Sequence, residues 1–207
     1  SLGLALLLNS KIKFGNLFRS IYFLPFVTST VALSILWRWI FNGDYGLANY
    51  VLLLLDKKKI NWLTNPNWTI PILVLFNVWK GMGYKIIIFL AGLQNIDEKY
   101  YLSAKIDSAS KWKTFRKITL PLLAPTLFFA SITSVIGAFK IFDEVFVLYD
   151  SSTGPLKSGL TIVYYIFNKF YRHWQFSIAS AAAFVLFIII FIFTLIQLKV
   201  GNSKSNY

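Results

Sequence analysis

Four long apolar segments limit most strongly what this chain can fold into. They cover residues 20–41, 69–93, 122–142 and 176–198, and each reaches the roughly 20 residues that a helix needs to cross a bilayer core. Backbone amides and carbonyls in lipid must bond within their own segment, which favours helices over isolated strands. The sequence therefore predicts an all-α, polytopic membrane helix bundle. The shorter apolar stretch 2–8 is interpreted as the end of a fifth spanning helix.

Positive charge is distributed unevenly between the connections. Residues 9–19, 94–119 and 199–207 hold 11 lysines and arginines, whereas residues 42–68 and 143–175 hold 6. Because cytoplasmic loops of membrane proteins carry an excess of Lys and Arg, the first set is assigned to the cytoplasm. We therefore expect a multi-pass protein of the bacterial plasma membrane with a cytoplasmic C-terminus.

Composition argues against most catalytic and metal chemistry. The chain is 57% hydrophobic and 14% charged, with a net charge of +13, no cysteine and one histidine, His173. Thiolate or imidazole groups in clusters are what zinc and iron sites require. The positive charge lies beside the apolar segments, which favours a membrane surface over nucleic acid as its partner. We expect a transport subunit that is not an enzyme, binds no metal or cofactor itself, and contacts membrane lipid but no nucleic acid.

The loop that follows the second long segment is longer than a turn between two spans requires. Within it Leu102, Ile106 and Ala109 recur at i, i+4 and i+7, which is the spacing of one apolar helix face. Such a helix could dock into a groove on a soluble partner. It could equally rest on anionic headgroups through its lysines, and the residues alone do not separate these alternatives.

The same loop resembles the EAA loop of binding-protein-dependent ABC importers. The pattern of that loop is matched by residues along its whole length, which are Tyr101, Ala104, Asp107, Ala109, Phe115, Ile118, Leu120 and Pro121. Further runs resemble MalF-like sugar permeases over nearly the whole chain, among them 37–42, 46–49 and 88–94. The resemblance implies the fold of a type I ABC importer permease, as one transmembrane domain over 1–207 with the coupling loop at 94–119. It also implies that one or two helices precede Ser1.

In this family the loop helix sits in a cleft of the ATPase subunit and transmits closure of the ATPase dimer to the membrane helices. The resemblance therefore assigns ATPase coupling to a set of residues in and after the loop, namely Tyr101, Leu102, Ala104, Ile106, Asp107, Ser108, Ala109, Phe115, Leu120 and Pro121. The chain departs from the family at two of them, because Leu102 replaces a glutamate and Ser108 replaces a glycine. Serine disfavours a left-handed backbone turn, so coupling is expected to be weaker or specific to one partner.

Ionisable and polar side chains inside the spans are candidates for the solute path. Lys80 and Lys85 lie within the second long segment, where a charge is costly, and the alternatives for Lys80 include pairing with Asp143 or Glu144. The resemblance to maltose-type importers implies a path that also includes residues on two helices, namely Asn77, Lys80, Gly81, Tyr84, Ser134, Gly137, Ala138 and Ile141. The amide and hydroxyl groups in this set both donate and accept hydrogen bonds, which suits sugar hydroxyls.

The sequence therefore predicts one permease subunit of an ATP-driven importer for a sugar or oligosaccharide. Its expected partners are a second permease, a cytoplasmic ATPase dimer that holds ATP and Mg, and an external solute-binding protein. The sequence contains no phosphate-binding G-x-x-x-x-G-K-[ST] loop, so ATP hydrolysis is expected on a separate chain. Alternatives are an importer for glycerol-phosphate-like anions and an ion-coupled secondary transporter, for which inverted repeats would be expected.

Overall fold

All regular structure in the described part of the chain is helical. The computed structural model describes residues 1–9 and 13–203. Its α-helices are α1 (Leu2–Asn9), α2 (Gly15–Val27), α3 (Thr30–Ile40), α4 (Leu47–Leu54), α5 (Pro66–Gln94), α6 (Glu98–Ile106), α7 (Lys111–Thr114), α8 (Leu120–Leu122), α9 (Ala124–Phe139), α10 (Asp143–Leu148), α11 (Ile162–Phe167) and α12 (Phe176–Ser203). Two π-helical turns, Phe115–Thr119 and Asn168–Arg172, and one 3₁₀ turn, Pro155–Lys157, complete the set. The predicted all-α class is confirmed.

Two of the predicted spans are single helices. Helix α5 has 29 residues, and the apolar part of α12, Phe176–Lys199, has 24, so each is long enough to cross a bilayer. Within the described residues two further helix pairs are apolar enough only when each bent pair is taken as one broken span. Residues 1–9 and 13–203 thus include two helices that could span a membrane by length and composition, or up to four spans with the bent pairs.

The prediction of one continuous helix over 20–41 is wrong in detail. Helix α2 ends at Val27 and α3 begins at Thr30, with Ser29 in a non-helical conformation between them. Pro25 lies inside α2 and has no N–H for the preceding turn, which weakens the helix before the break. Serine and threonine hydroxyls also compete with backbone groups for hydrogen bonds, so a Thr-Ser-Thr run is a favourable place to interrupt a helix.

The predicted span over 122–142 is likewise shorter and broken. Helix α8 ends at Leu122, α9 begins at Ala124, and the helix that leads into the break is bent by 65° from α9. Pro125 cannot donate a hydrogen bond to the carbonyl four residues earlier, whereas it is well suited to the first turn of a new helix. The span therefore begins after the break rather than at residue 122, and it ends at Phe139.

The chain divides into two compact units. Unit 1 contains Ser1–Phe26, Gly81–Val135 and the described residues from Ile192 onward, and unit 2 contains Val27–Lys80 and Ile136–Phe191. The core of unit 1 consists of buried apolar residues from α1, α5, α9 and the preceding break, namely Ala5, Leu8, Ile86, Phe89, Leu90, Leu93, Leu123 and Ala130. Helix α2 approaches α5 closely at Gly83, where an added Cβ would lie 2.0 Å from the carbonyl oxygen of Tyr22.

The core of unit 2 is aromatic. Its buried members come from α3, α5, α10 and α11, namely Leu33, Trp37, Ile72, Leu73, Phe76, Val145, Leu148, Tyr149 and Tyr164. Trp37 meets Phe76 edge to face with ring centroids 5.1 Å apart, which is a favourable geometry for an aromatic pair. Burial of these large rings fixes α3 against the first half of α5 within the unit.

Candidate functional site

The candidate coupling segment is a helix followed by a tight turn and a second, distorted helix. Helix α6 begins after Asp97, whose side chain accepts a hydrogen bond from the backbone N–H of Lys99. Glu98 lies in the first turn and Lys105 in the last, which places each charge where the helix dipole favours it. A short helix is found where the apolar spacing predicts one, with bounds Glu98–Ile106, but only Leu102 and Ile106 of the predicted face lie on it, because Ala109 follows in the turn.

Helix α6 has a buried face and an exposed apolar face. Ala104 is buried, and the hydroxyl of half-buried Tyr101 lies 3.2 Å from Oγ1 of buried Thr119, so this face packs on unit 1. In contrast Leu102 is 49% exposed and Ile106 is 84% exposed. Four residues apart on one helix, these two side chains form a single apolar patch that none of the described residues covers.

The turn after α6 takes a left-handed conformation at Ser108, which has a φ of 51°. The N–H of Ala109 donates to the carbonyl of Ala104, and the N–H of Ser108 donates to that of Lys105. These two bonds form a Schellman motif, in which glycine is the usual residue at the left-handed position. Ser108 thus adopts the left-handed conformation that serine disfavours.

A second helical arm leads from the turn back towards the core of unit 1. The hydroxyl of Ser110 accepts from the N–H of Lys113, which starts α7, and a π-helical turn over Phe115–Thr119 follows. Phe115 and Leu120 are half-buried and Pro121 is exposed. The π-helical turn adds one residue to the helical path, a distortion that is frequent at functional sites.

The predicted solute-path residues on α5 have partners within the chain. The Nδ2 group of Asn77 donates to the backbone oxygen of Leu73 at 2.9 Å, which leaves its carboxamide oxygen outside that bond. The ring of Tyr84 stacks on Phe26 with centroids 4.8 Å apart. The amide oxygen of Asn77 and the phenol of Tyr84 are each groups that can bond to a solute. The two residues are seven positions apart on α5.

Lys80 does not have the partner that the sequence favoured. Its ammonium donates to the hydroxyl of Thr30, in the first turn of α3, rather than pairing with Asp143 or Glu144. A hydroxyl satisfies a hydrogen bond of the ammonium without neutralising its charge. Lys80 thus has no carboxylate partner among the described residues and lies in a segment long enough to span, which is the condition that marks a functional candidate.

The remaining predicted path residues lie on α9 and just after it. The hydroxyl of Ser134 donates to the carbonyl of Ala130, Gly137 and Ala138 are exposed, and the carbonyl of Ile141 accepts from Thr161. The eight predicted path residues are divided between the units, with Gly81, Tyr84 and Ser134 in unit 1 and the others in unit 2. Their convergence on one path stays a prediction.

Sequence reasoning missed a buried polar centre in unit 2. Asn49, 1% exposed, donates to the carbonyls of Gly43 and Ile60 and accepts from the N–H groups of Ile60 and Trp62. An asparagine inside the apolar run 47–54 was the available signal, because a buried amide must be bonded.

Comparison with known proteins places the chain in a family. Residues 1–202 match the model of the binding-protein-dependent transport system inner membrane component family. The lactose transport system permease protein LacF of Rhizobium radiobacter is 38% identical over 97% of this chain and 68% of its own length. The arabinooligosaccharides transport system permease protein AraP of Bacillus subtilis is 39% identical over 97% of this chain and 64% of its own length. The chain thus spans about two thirds of the length of these relatives.

A solved structure agrees with this result. One chain of a bacterial alginate ABC transporter, crystallised in complex with an alginate pentasaccharide-bound periplasmic protein, superposes with a TM-score of 0.89 at 24% identity. The superposition covers 99% of this chain and 72% of that chain, and it shows the same fold. The chain belongs to the family of inner membrane components of binding-protein-dependent transport systems.

Proposed function

We propose that this chain is one of two permease subunits in an ATP-driven importer for a sugar or oligosaccharide. Family membership supplies the class of transporter, and relatives named for the transport of lactose and of arabinooligosaccharides favour a carbohydrate solute. The partners proposed are a second permease, a cytoplasmic ATPase dimer that binds ATP and Mg, and an external solute-binding protein.

The observation that carries the proposal is the exposed apolar patch of Leu102 and Ile106 on α6. Two large aliphatic side chains held in water are unfavourable, and burial of each in a partner groove contributes about 1.5–3 kcal/mol. The opposite face of α6 is anchored through Ala104 and Tyr101, so force applied to the patch passes into unit 1. The patch therefore suits a coupling helix that takes up the motion of an ATPase.

A double substitution tests this function. Leu102→Asp with Ile106→Asp places two charges in the proposed groove, and we expect ATP-driven uptake in reconstituted vesicles to fall to background. The matched control is Tyr100→Asp with Ser103→Asp, which adds the same charge to exposed positions roughly 80–140° around the same helix. Membrane insertion of both variants is measured in parallel.

The outcome separates coupling from folding. Background uptake by the first variant, with normal insertion and with uptake retained in the control, supports the proposed coupling contact. Normal uptake by the Leu102→Asp, Ile106→Asp variant would overturn it. Uptake driven by an ion gradient without the ATPase would overturn the importer assignment itself and favour a secondary transporter.

A further inference from the structure

A second candidate site lies in unit 2 and shares no residue with the coupling segment or the predicted solute path. It is an open depression of about 560 Å³ between the end of α3, the turn that follows it, residues 61–64 and the loop after α10. This volume falls within the range of small-molecule sites. The charge distribution of the loops assigns all of these segments to the outer side of the membrane.

The polar side chains that line the depression offer both donors and acceptors. The carboxamide oxygen of Asn42 accepts from the N–H groups of Asp44 and Tyr45, and its two amide hydrogens take no part in these bonds. Asn61 lies at the exposed edge of the depression, with its Oδ1 3.2 Å from the position that a Cβ on Gly43 would occupy. The amide of Asn42 can donate to hydroxyl groups of a ligand, and the carboxylate of Asp150 can accept from them.

Arg38 and Asp150 form an ion pair in the wall of the depression. Nη2 of Arg38 lies 3.1 Å from Oδ2 of Asp150, and Nζ of Lys59 donates to the backbone oxygen of Asp44. The hydrogen bond from Arg38, and then its positive charge, lower the pKa of the Asp150 carboxyl. Within the pair the two charges offset each other, so the pair offers hydrogen-bonding groups at the wall without a local excess of one sign.

The rim of the depression is fixed in an unfavourable backbone conformation. Asp150 and Ser151 both have left-handed φ angles, 54° and 61°, which are uncommon for residues other than glycine. Arg38 bonds to the Asp150 side chain, and Nη2 of Arg172 donates to the carbonyl of Ser151 at 2.5 Å. Two arginines from different helices thus hold a strained turn, an arrangement that preforms the shape of a site.

Trp62 provides an aromatic wall of fixed orientation. Its indole N–H donates to Asn49, and its ring meets Trp68 edge to face with centroids 4.6 Å apart. A ring that is held in this way can contact the apolar face of a flat ligand at little entropic cost. Donors, acceptors and one aromatic wall in a preformed depression are the features that suit a saccharide.

We propose that this depression binds a neutral saccharide unit of the imported solute on the outer side, before the solute enters the membrane. The choice of a transported sugar as ligand rests on the proposed function, whereas the site itself rests on the geometry of unit 2. A saccharide held here would be kept close to the transporter after release from a binding protein.

Site-directed labelling tests the proposal, because the chain contains no cysteine. Asn61→Cys places one thiol in the depression, and Asn67→Cys places one at an exposed position of α5 outside it. The full chain in vesicles is treated with a membrane-impermeant maleimide. Labelling rates are measured with and without lactose, maltose, an arabinooligosaccharide, a uronic-acid disaccharide and any other sugar that the assembled transporter takes up.

We expect at least one neutral saccharide to protect Asn61→Cys and not Asn67→Cys. At ten times its Kd the ligand leaves about one tenth of the sites free, so labelling slows about tenfold. Equal slowing at both positions, the absence of protection by every saccharide, or protection by the uronic-acid disaccharide alone would each overturn the proposal. Protection by a binding protein but by no free sugar would also overturn it, because the depression would then be a protein-docking surface.

ATP-driven uptake is measured in parallel in vesicles that hold the transporter assembled with the unmodified chain and the ATPase. ATP-driven uptake that persists while Asn61→Cys remains unprotected overturns the saccharide site alone. Protection without ATP-dependent uptake leaves the site standing and overturns the proposed importer function.

Discussion

The indole Nε1 of Trp62 donates to Oδ1 of Asn49 at 2.9 Å, which ties the segment before α5 to helix α4. Asn49 also bonds to both backbone groups of Ile60 and to the carbonyl of Gly43, so all four of its hydrogen-bonding positions are used. A single buried side chain therefore supplies the hydrogen bonds that the backbone of this irregular loop does not form with itself.

We expect Asn49→Leu to destabilise the protein strongly. The substitution keeps the branched shape of the side chain but leaves buried donors and acceptors on Gly43, Ile60 and Trp62 unpaired, at about 1–3 kcal/mol for each group that water cannot reach. A loss of about 3 kcal/mol in the free energy of unfolding is the expected result, measured by thermal or denaturant unfolding of the purified protein in detergent. Asn67→Ala, at an exposed position, serves as control and should change stability by less than about 0.5 kcal/mol. Equal stability of the two variants would contradict the structural role of Asn49.

The contrast between what was predicted and what was missed has a physical origin. Local spacing sufficed for the helices, because apolar length and the i, i+4 pattern of Leu102 and Ile106 act within one segment. Contacts between distant segments were not predictable in this way. Arg38 and Asp150 are 112 residues apart, and Lys80 and Thr30 are 50 apart. Which hydroxyl or carboxylate a cation meets depends on how the helices pack, and that information is not contained in either segment alone.

The two broken helices show the same limit on a shorter scale. Both predicted spans contain a proline close to the point where the helix is broken, at Pro25 and Pro125. The breaks themselves were not predicted, because a proline can either bend a helix or begin a new one. Neighbouring polar residues and packing decide between these outcomes.

The left-handed turn after α6 predicts a stabilising substitution. Ser108 has a φ of 51°, which costs roughly 1–2 kcal/mol for a residue with a side chain and almost nothing for glycine. Ser108→Gly also increases the freedom of the unfolded chain, so the expected net gain is about 0.5–1 kcal/mol. The measurement is the unfolding midpoint of the purified variant.

A matched substitution five residues earlier gives the opposite sign. Ser103 lies inside α6, where glycine is less favourable than serine by about 0.5 kcal/mol, so Ser103→Gly should lower stability. If coupling in this chain is weakened by the strained turn, Ser108→Gly should in addition raise ATP-driven uptake. A lower unfolding midpoint for Ser108→Gly would show that the turn does not carry the strain that its φ angle indicates.

The approach of α2 to α5 predicts that Gly83 tolerates no side chain. A Cβ at this position would lie 2.0 Å from the carbonyl oxygen of Tyr22, so Gly83→Ala must push the two helices apart. We expect a loss of about 1–3 kcal/mol, typical of overpacking, seen as a lower unfolding midpoint and a reduced yield of folded protein. Gly3→Ala in α1 is the control, because an added Cβ there has no heavy atom within 4 Å. A normal unfolding midpoint for Gly83→Ala would mean that the helices are less closely packed.

The phenol of Tyr84 allows its two contributions to be separated. Its ring stacks on Phe26 within unit 1, at 4.8 Å and with an angle of 15° between the planes, whereas its hydroxyl is the group that a sugar would contact. Tyr84→Phe retains the stacked ring, so assembly with the ATPase and thermal stability should not change. Loss of a hydrogen bond to the solute should weaken the apparent affinity for uptake by up to about tenfold, which corresponds to about 1.4 kcal/mol.

Tyr84→Ala should show the same loss of affinity together with lower stability, because the stacking is also removed. Tyr50→Phe, on an exposed position of α4, is the control for removal of a phenol elsewhere. Unchanged affinity in Tyr84→Phe, with destabilisation only in Tyr84→Ala, would make Tyr84 a packing residue and remove it from the solute path.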